Sequence, residues 1–551
     1  MEFKPSKYQE EIFNFVRKGN GNAVINAKAG AGKTTTIVNS IKFIKPNKNI
    51  LFIAFNKSIE EELSKRLSGN KNVDVRTFHS LGVYIARKYI KKDMKVNEYK
   101  YTLYIEKNIQ DFLLNENELD GNEIRIYKNN LRQLVDFARF NLAQSPKEII
   151  KIANKYKIDC VANECEIVPE ILKWGIENLD IIDFNDMVWL CVEKDFNIYK
   201  KYDYIFIDEA QDSSIVQQKL IDKLKNRGCK TIAIGDEFQC INAYAGADQD
   251  AFKTFIKKSD IILDLPISYR CPKSIIEKVK NKFPEIKIEA AENAIEGKIN
   301  YDVSLSAPKE GDIVLCRNGL PLVKLYMKYS KINKKSYIKG RDFKEILISI
   351  LENIKIDDLS LDLEKDGVFP RLYETLFKNI NKEILKTGIS YENVIYNKEI
   401  IDFIDIIRTL EVLSEGCFNK DCLFEKIKVI FIDDDEFEKR DVNKQQTKED
   451  SGVCLSTIHK AKGLEYDNVY ILCPSLIPSR HAKKDWEIKS EKNLEYVAMT
   501  RAKKTLNYIS EKEFPTKIYE TDNIIKDIEK IREKLNKNLN LNIEIIKNDD
   551  K

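Results

Sequence analysis

The sequence predicts an α/β protein with two parallel-sheet domains, each interrupted by a long, mostly helical insertion. Three observations lead there. Five short apolar runs, Ala23–Ala27, Ile50–Ala54, Tyr204–Asp208, Thr231–Gly235 and Ile261–Leu265, are each followed by a loop and a helical pattern, as buried parallel strands are. A second set, Asp312–Cys316, Val453–Thr457, Asn468–Leu472 and Thr505–Ile509, repeats the pattern further along. Within each set lies a stretch rich in Lys, Glu, Ile, Leu and Asn at helical spacing, about residues 91–180 and 341–450. The first domain is therefore drawn from 1–90 and 181–264, and the second from 265–340 and 451–512. A charged tail, 513–551, reads as a surface helix with a frayed end.

Length and composition agree with this division. At 551 residues the chain exceeds one core, since domains run to roughly 100–200 residues. Hydrophobic residues make up 43% and charged residues 33%, the balance of a folded soluble chain. No run approaches the ~20 apolar residues that span a bilayer, and no signal-peptide core follows the N-terminus. A cytoplasmic protein without a membrane partner, of bacterial or phage-type source, is expected. Eleven cysteines lie between Cys160 and Cys473 with no C-x-x-C pair. They read as reduced thiols rather than zinc or iron–sulfur ligands. The net charge of +4, from 92 basic and 88 acidic residues, does not announce a nucleic-acid partner, although a local groove can supply phosphate contacts.

The first strand runs into Ala27-Lys-Ala-Gly-Ala-Gly-Lys-Thr34 and then a helical pattern. This is a phosphate-binding loop with Ala27 in place of its first glycine. Gly30 and Gly32 let backbone N–H groups curl around phosphates at a helix N-terminus. Ala29, Gly30, Ala31, Gly32, Lys33, Thr34 and Thr35 form the cradle. Lys33 reaches the β- and γ-phosphates of ATP, and the Thr34 hydroxyl binds Mg²⁺. The third strand ends in Asp208-Glu-Ala-Gln-Asp212. An acidic residue at that place, Asp208, holds Mg²⁺ opposite the loop, and Glu209 accepts a proton from the attacking water.

The ordered motifs resemble those of the UvrD/Rep-like superfamily 1A DNA helicases. Tyr8-Gln9 is similar to the family's Q motif, Arg76-Thr-Phe-His-Ser80 to motif Ib, and Asp183-Phe-Asn-Asp186 to the D-F-x-D segment. Asp208–Asp212 has the form of motif II, and Gly235-Asp-Glu-Phe-Gln239 through Ala247 that of motif III. Leu265–Arg270, Ser456–Glu465 and Glu495–Ala502 resemble motifs IV, V and VI. Phe55-Asn-Lys-Ser-Ile59 and Thr77–Leu81 are closest to the F-box DNA helicase branch, here without an F-box. The resemblance spans Gln9 to about Leu506 and leaves two unmatched gaps where the family carries its 1B and 2B insertions.

The resemblance implies two RecA-like P-loop motor domains and a role for each matched residue. Gln9 reads the adenine edge, Tyr269 stacks on the adenine, and Glu465 touches the ribose. Gln239 senses the γ-phosphate. Arg270 and Arg501 are arginine fingers, supplying charge to the phosphoryl-transfer transition state. Asn56, Thr77, Phe78, His79 and His459 contact DNA, and Tyr244 offers a face on which a base stacks. Two departures stand in motif III: Ala245 replaces an Arg, and Asn242 a Tyr.

The implied activity is an ATP-dependent helicase moving 3′→5′ on single-stranded DNA and opening duplex at single-strand/duplex junctions in repair, recombination or replication. A second reading is a single-strand-stimulated ATPase and translocase that unwinds weakly and serves a nuclease, repair or defence partner. The second insertion, short for the family, and Ala245 leave room for it. A third, from another class, is an ATP-regulated adaptor without turnover, which the intact Lys33, Asp208, Glu209, Gln239, Arg270 and Arg501 oppose. An RNA track stays open, since a backbone-tracking channel does not by itself read the sugar, but the UvrD-type motif set favours DNA.

Overall fold

The computed structural model describes residues 3–90, 94–113, 121–156, 158, 160, 162–241, 251–360, 366–387, 390–394, 397–432, 452–479, 482, 485–514, 521–539 and 545. The chain forms two units, 1–269 with 287–289 and 270–286 with 290–551. The division falls between Tyr269 and Arg270, inside the segment expected to be motif IV.

The first unit opens with α1 (Lys7–Lys18), started by a capping box between Ser6 and Gln9. There follow β1 (Ala23–Ala27), α2 (Lys33–Ile41), β2 (Ile50–Ala54), α3 (Lys57–Arg66), β3 (Val73–Thr77) and α4 (Phe78–Ala86). The insertion contributes β4 (Lys95–Val96), α5 (Lys100–Phe112), α6 (Gly121–Asn141), α7 (Pro146–Tyr156) and α8 (Ala162–Glu177). The chain returns through β5 (Ile181–Ile182), α9 (Phe184–Glu193), β6 (Tyr202–Ile207), α10 (Ile215–Leu224), β7 (Lys225–Gly235), α11 (Ala251–Lys257) and β8 (Ile261–Leu265). The main sheet has the order β3-β2-β6-β7-β1-β8, with every pair parallel. The five expected strands are all present. The unexpected one, β3, carries Asp74 and Arg76 and is only half-buried along its length, so it lacks the continuous apolar run of a central strand.

Alternate residues of each strand face opposite ways. Ile25, Phe52, Phe206, Ile232 and Ile234 pack with Ile12, Val16 and Ile37 of the helices on one face. Val24, Leu51, Ile53, Ile205, Ile207 and Ala233 belong to a second core. That core continues through Leu81 and Leu190 into Leu131, Leu134, Ile149 and Ile171 of the insertion. The insertion therefore extends the core of the first unit rather than burying a separate one. Its entry and exit are joined by the parallel pairing of Lys95 with Ile181 and Val96 with Ile182.

The second unit contains α12 (Lys273–Lys282), β9 (Lys298–Val303), β10 (Ile313–Cys316), α13 (Gly319–Lys331), β11 (Ser336–Lys339), α14 (Arg341–Glu352), α15 (Val368–Thr387), α16 (Lys398–Ser414), α17 (Lys420–Ile430), β12 (Phe431–Ile432), β13 (Val453–Thr457), β14 (Tyr466–Ile471), α18 (Asp485–Met499), β15 (Ala502–Ile509) and α19 (Thr521–Leu539), besides shorter pieces. Its sheet runs β9-β15-β14-β10-β13-β11-β12, again with parallel pairs. One core joins Val314, Val453 and Leu455 of the strands to Phe369, Phe377, Ile407 and Ile427 of the second insertion. The tail helix α19, expected on the surface, adds Ile528 and Leu535 to this core.

Among the described residues, no helix is long and apolar enough to cross a membrane.

Candidate functional site

In an open parallel sheet, loops at the carboxyl ends of neighbouring strands meet. The order β6-β7-β1-β8 makes neighbours of Asp208-Glu209, Asp236, the phosphate loop and Tyr269, which are far apart in sequence. Register fixes the alignment: Asn26 lies beside Gly235 and Ala27 beside Leu265.

The loop between β1 and α2 is closed by the N–H of Ala31 donating to the Lys28 carbonyl at 3.0 Å. Gly30 and Gly32 have φ of 72° and 70°, left-handed values that glycine adopts without strain. No side chain caps the start of α2 at Gly32, so its N-terminal N–H groups face the loop's hollow, a ready anion site. A Cβ on Gly32 would lie 3.7 Å from the Tyr269 ring and 4.0 Å from the Gln9 amide. Tyr269 is anchored by its N–H to the Gly30 carbonyl at 2.9 Å, and its side chain is half exposed. Gln9 is buried and donates to the Thr36 hydroxyl at 2.9 Å, while its carbonyl accepts from the Ser6 N–H. The two groups assigned to adenine thus flank the phosphate loop on one side.

On the other side Lys33 donates to Glu209. Burial pulls the Lys33 pKa down, but Glu209, Asp208 and Asp236 together hold it above the ordinary lysine value. The lysine stays charged. Asp208 is buried at the end of β6, and one of its oxygens accepts from the Glu209 N–H at 3.0 Å. Glu209 has φ of 47°, an uncommon backbone for a residue with a side chain and one that collects at functional sites.

Sequence reasoning missed Gln211. Its amide donates to the second Glu209 oxygen, and its carbonyl accepts from the Asp236 N–H at 3.1 Å. A Cβ on Gly235 would stand 2.3 Å from that carbonyl oxygen, so glycine is required there. Asp236 in turn accepts from the Gln239 amide at 2.9 Å. One hydrogen-bonded series therefore runs Lys33–Glu209–Gln211–Asp236–Gln239. The available signal was the Gln in Asp208–Asp212, a polar residue inside a buried turn.

The residues assigned to DNA sit at the far strands. Ala54 and Thr77 are paired at the ends of β2 and β3, which places Phe55, Asn56, Phe78 and His79 along one edge. Asn56 caps α3 through the Ile59 N–H, and Thr77 caps α4 through the Ser80 N–H. His79 is exposed and meets Phe184 edge-on at 6.2 Å. Phe55 and Phe184, which sequence reasoning left out of the contact set, are 45% and 49% exposed, an arrangement suited to stacking bases. Tyr244, with Asn242 and Ala245, lies outside the described residues.

Asp183 and Asp186, the acidic pair of the D-F-x-D segment, are buried at the start of α9. Arg139 of α6 donates to Asp183 at 2.7 Å and to Asp186 at 2.9 Å, and Lys100 of α5 to Asp186 at 2.7 Å. Two cations of the insertion thus hold the helix end that carries Phe184.

In the second unit Arg270 pairs with Glu465 at 2.6 Å, so the assigned ribose contact and the assigned finger are engaged with each other. Arg501 is 1% exposed and donates to the Val497 and Leu464 carbonyls and the Thr500 hydroxyl. His459 is half-buried in the turn after β13.

A strand–loop–helix phosphate cradle, an acidic strand end facing it and a second parallel α/β unit define a P-loop nucleoside-triphosphatase. Sequence profiles refine the class: that of the UvrD/REP helicase N-terminal domain matches residues 8–260, and that of the UvrD-like helicase C-terminal domain matches 452–509. The chain belongs to the UvrD/REP helicase family. It is similar to the ATP-dependent DNA helicase Rep of Buchnera aphidicola, 24% identical with 90% of this chain and 93% of that one covered. The ATP-dependent DNA helicases PcrA of Bacillus subtilis and Staphylococcus epidermidis are 24% and 25% identical, over 89% of this chain and 81% of theirs.

Proposed function

We propose that this chain is an ATP-dependent DNA helicase that moves 3′→5′ along single-stranded DNA and opens duplex at a single-strand junction. The observation that carries the reading is the hydrogen-bonded series from Lys33 to Gln239 beside an uncapped helix N-terminus. Membership of the family and likeness to proteins named Rep and PcrA support DNA as the track.

In the described arrangement Lys33 neutralises Glu209. ATP entering the cradle offers Lys33 its β- and γ-phosphates instead, and Glu209 is released to accept a proton from the attacking water. Gln239, hydrogen-bonded to Asp236, reports the γ-phosphate to the segment that carries Tyr244. Arg270 and Arg501 are proposed to supply transition-state charge, which requires Arg270 to leave Glu465 and Arg501 to leave its carbonyls. The Thr34 hydroxyl and Asp208 carboxylate are hard oxygen donors, and no cluster of three His, Cys, Asp or Glu able to hold a metal occurs among the described residues. That set suits Mg²⁺, which takes one or two protein oxygens together with substrate phosphates. When bound, the ion neutralises phosphate charge.

A second reading, a translocase with weak unwinding, is favoured by Ala245 in place of the motif III arginine. Both readings meet the same experiment: ATP turnover with and without single-stranded DNA or RNA, then unwinding of 3′- and 5′-tailed duplexes. DNA-stimulated turnover with unwinding of 3′-tailed duplex alone is expected. Stimulation without unwinding selects the second reading, and unwinding of only 5′-tailed duplex refutes the polarity.

A further inference from the structure

The phosphate loop carries a second lysine whose side chain faces inward. Lys28 is 3% exposed, and burying an ammonium costs several kcal/mol unless it is well partnered. Its partners are specific. The ammonium donates to the side-chain Oδ1 of Asn26 at 2.7 Å and to Asp236 Oδ1 at 3.4 Å, and it lies 4.7 Å from the centre of the Phe238 ring. Asp236 is itself fully buried. Its Oδ1 also accepts from the Phe238 N–H at 3.2 Å, and its Oδ2 from the Gln239 amide. The Lys28 backbone is tied at the same point, its N–H donating to the Leu265 carbonyl at 3.0 Å.

We infer that Lys28 is a positioning residue for ATP turnover: through Asp236 and Phe238 it locks the segment bearing Gln239 onto the phosphate loop. The inference rests on the nucleotide-site reading proposed above. The two lysines of one loop then have different tasks. Lys33 pairs with Glu209, whereas Lys28 is buried and pairs with Asp236. Because Gln211 joins Glu209 to Asp236, the two ion pairs close a circuit from the loop through both acidic strand ends and back. A shift of the loop on binding phosphate is thereby transmitted to Gln239 through a buried charge rather than through solvent. Motif III lacks its usual arginine at Ala245, and Lys28 supplies a cation to Asp236 and Phe238 at the start of that motif.

The test is Lys28→Met, which keeps an unbranched side chain of nearly the same length and removes the charge, with Lys28→Arg, Asp236→Asn and the Lys28→Met/Asp236→Asn double variant beside it. Fluorescent ATP-analogue binding and steady-state turnover on single-stranded DNA are measured for each. Lys28→Met is expected to lower kcat by about 10²-fold, the loss typical of an ångström-scale misplacement, with nucleotide affinity changed less than about 3-fold. Lys28→Arg should recover most of the loss. The double variant should be no worse than the single ones, because residues acting through one contact are not additive. It also buries no unpaired charge, so it carries the test if Lys28→Met fails to fold. Wild-type kcat in Lys28→Met, a loss confined to nucleotide affinity, or a double variant showing the product of the single losses overturns the inference. Lys33→Ala in the same assays separates the two readings. Abolished turnover there with a silent Lys28→Met sinks only the inference, whereas normal turnover in Lys33→Ala sinks the site itself.

Discussion

Replacing Arg139 by Met tests how far the first insertion governs the DNA-facing edge. Arg139 is 1% exposed and meets three carboxylates, Asp136 at 2.6 Å, Asp183 at 2.7 Å and Asp186 at 2.9 Å, with its guanidinium 4.1 Å from the centre of the Tyr101 ring. Burial disfavours its charge, but Asp183, Tyr101, Asp186 and Asp136 outweigh that and hold its pKa well above the ordinary arginine value. Among the described residues, removal leaves Lys100 as the one cation bonded to this buried acidic pair. Breaking a buried pair from one side costs about 3–5 kcal/mol. At roughly 2–4 °C per kcal/mol for a domain of 150–250 residues, the midpoint of the first unit should fall by about 6–20 °C. Thermal and urea unfolding followed by circular dichroism would measure it. Asp183→Asn added to Arg139→Met should recover part of the loss, since it removes an unpaired charge. Single-strand affinity should also fall, because the start of α9 carries Phe184 against His79. A stability change under about 1 kcal/mol, the range of an exposed ion pair, would refute the reasoning.

Three further outcomes are expected. Lys33→Ala should abolish ATP hydrolysis, and Glu209→Gln should keep ATP binding while lowering turnover by at least about 10²-fold; wild-type turnover in Glu209→Gln would remove Glu209 as the base. Arg501→Ala should lower turnover by about 10³-fold, as for an arginine finger, with nucleotide affinity little changed; an early-melting variant with normal turnover per folded molecule would leave Arg501 a structural residue. In the second unit, burial and the neighbouring Asp402 push the Asp405 pKa up to about 7, against the opposing effect of Arg408 and Lys324. The folded state then holds a proton that the unfolded state, with a pKa of about 3.9, gives up. This contribution to stability is full below about pH 4 and is lost as pH rises to about 7. Asp405→Asn should flatten the decline in melting temperature over that window, and an unchanged pH profile would contradict the assignment.

Much of this protein was legible along the chain. Continuous apolar runs mark the central strands because both faces of a parallel sheet are covered, and Gly30-Ala-Gly-Lys-Thr34 and Asp208-Glu209 name their chemistry locally. The edge strand β3 was not legible, because a half-buried strand with Asp74 and Arg76 gives no continuous apolar signal. Nor was the buried side of α19, whose Ile528 and Leu535 are thinly spaced among charges. Tertiary structure decided the rest. A sheet order of β6-β7-β1-β8 cannot be read from sequence, yet it alone makes Gln211 a bridge between two acidic strand ends and turns Lys28 from a loop residue into a buried cation. Packing of the insertion helices against α9 likewise gathers Lys100, Arg139, Asp183 and Asp186 into one cluster. Local motifs identify groups that act on a ligand through their own chemistry. Groups that act by holding other groups depend on which strand ends and helices become neighbours, and that is settled only when the parallel crossovers and the shared cores close.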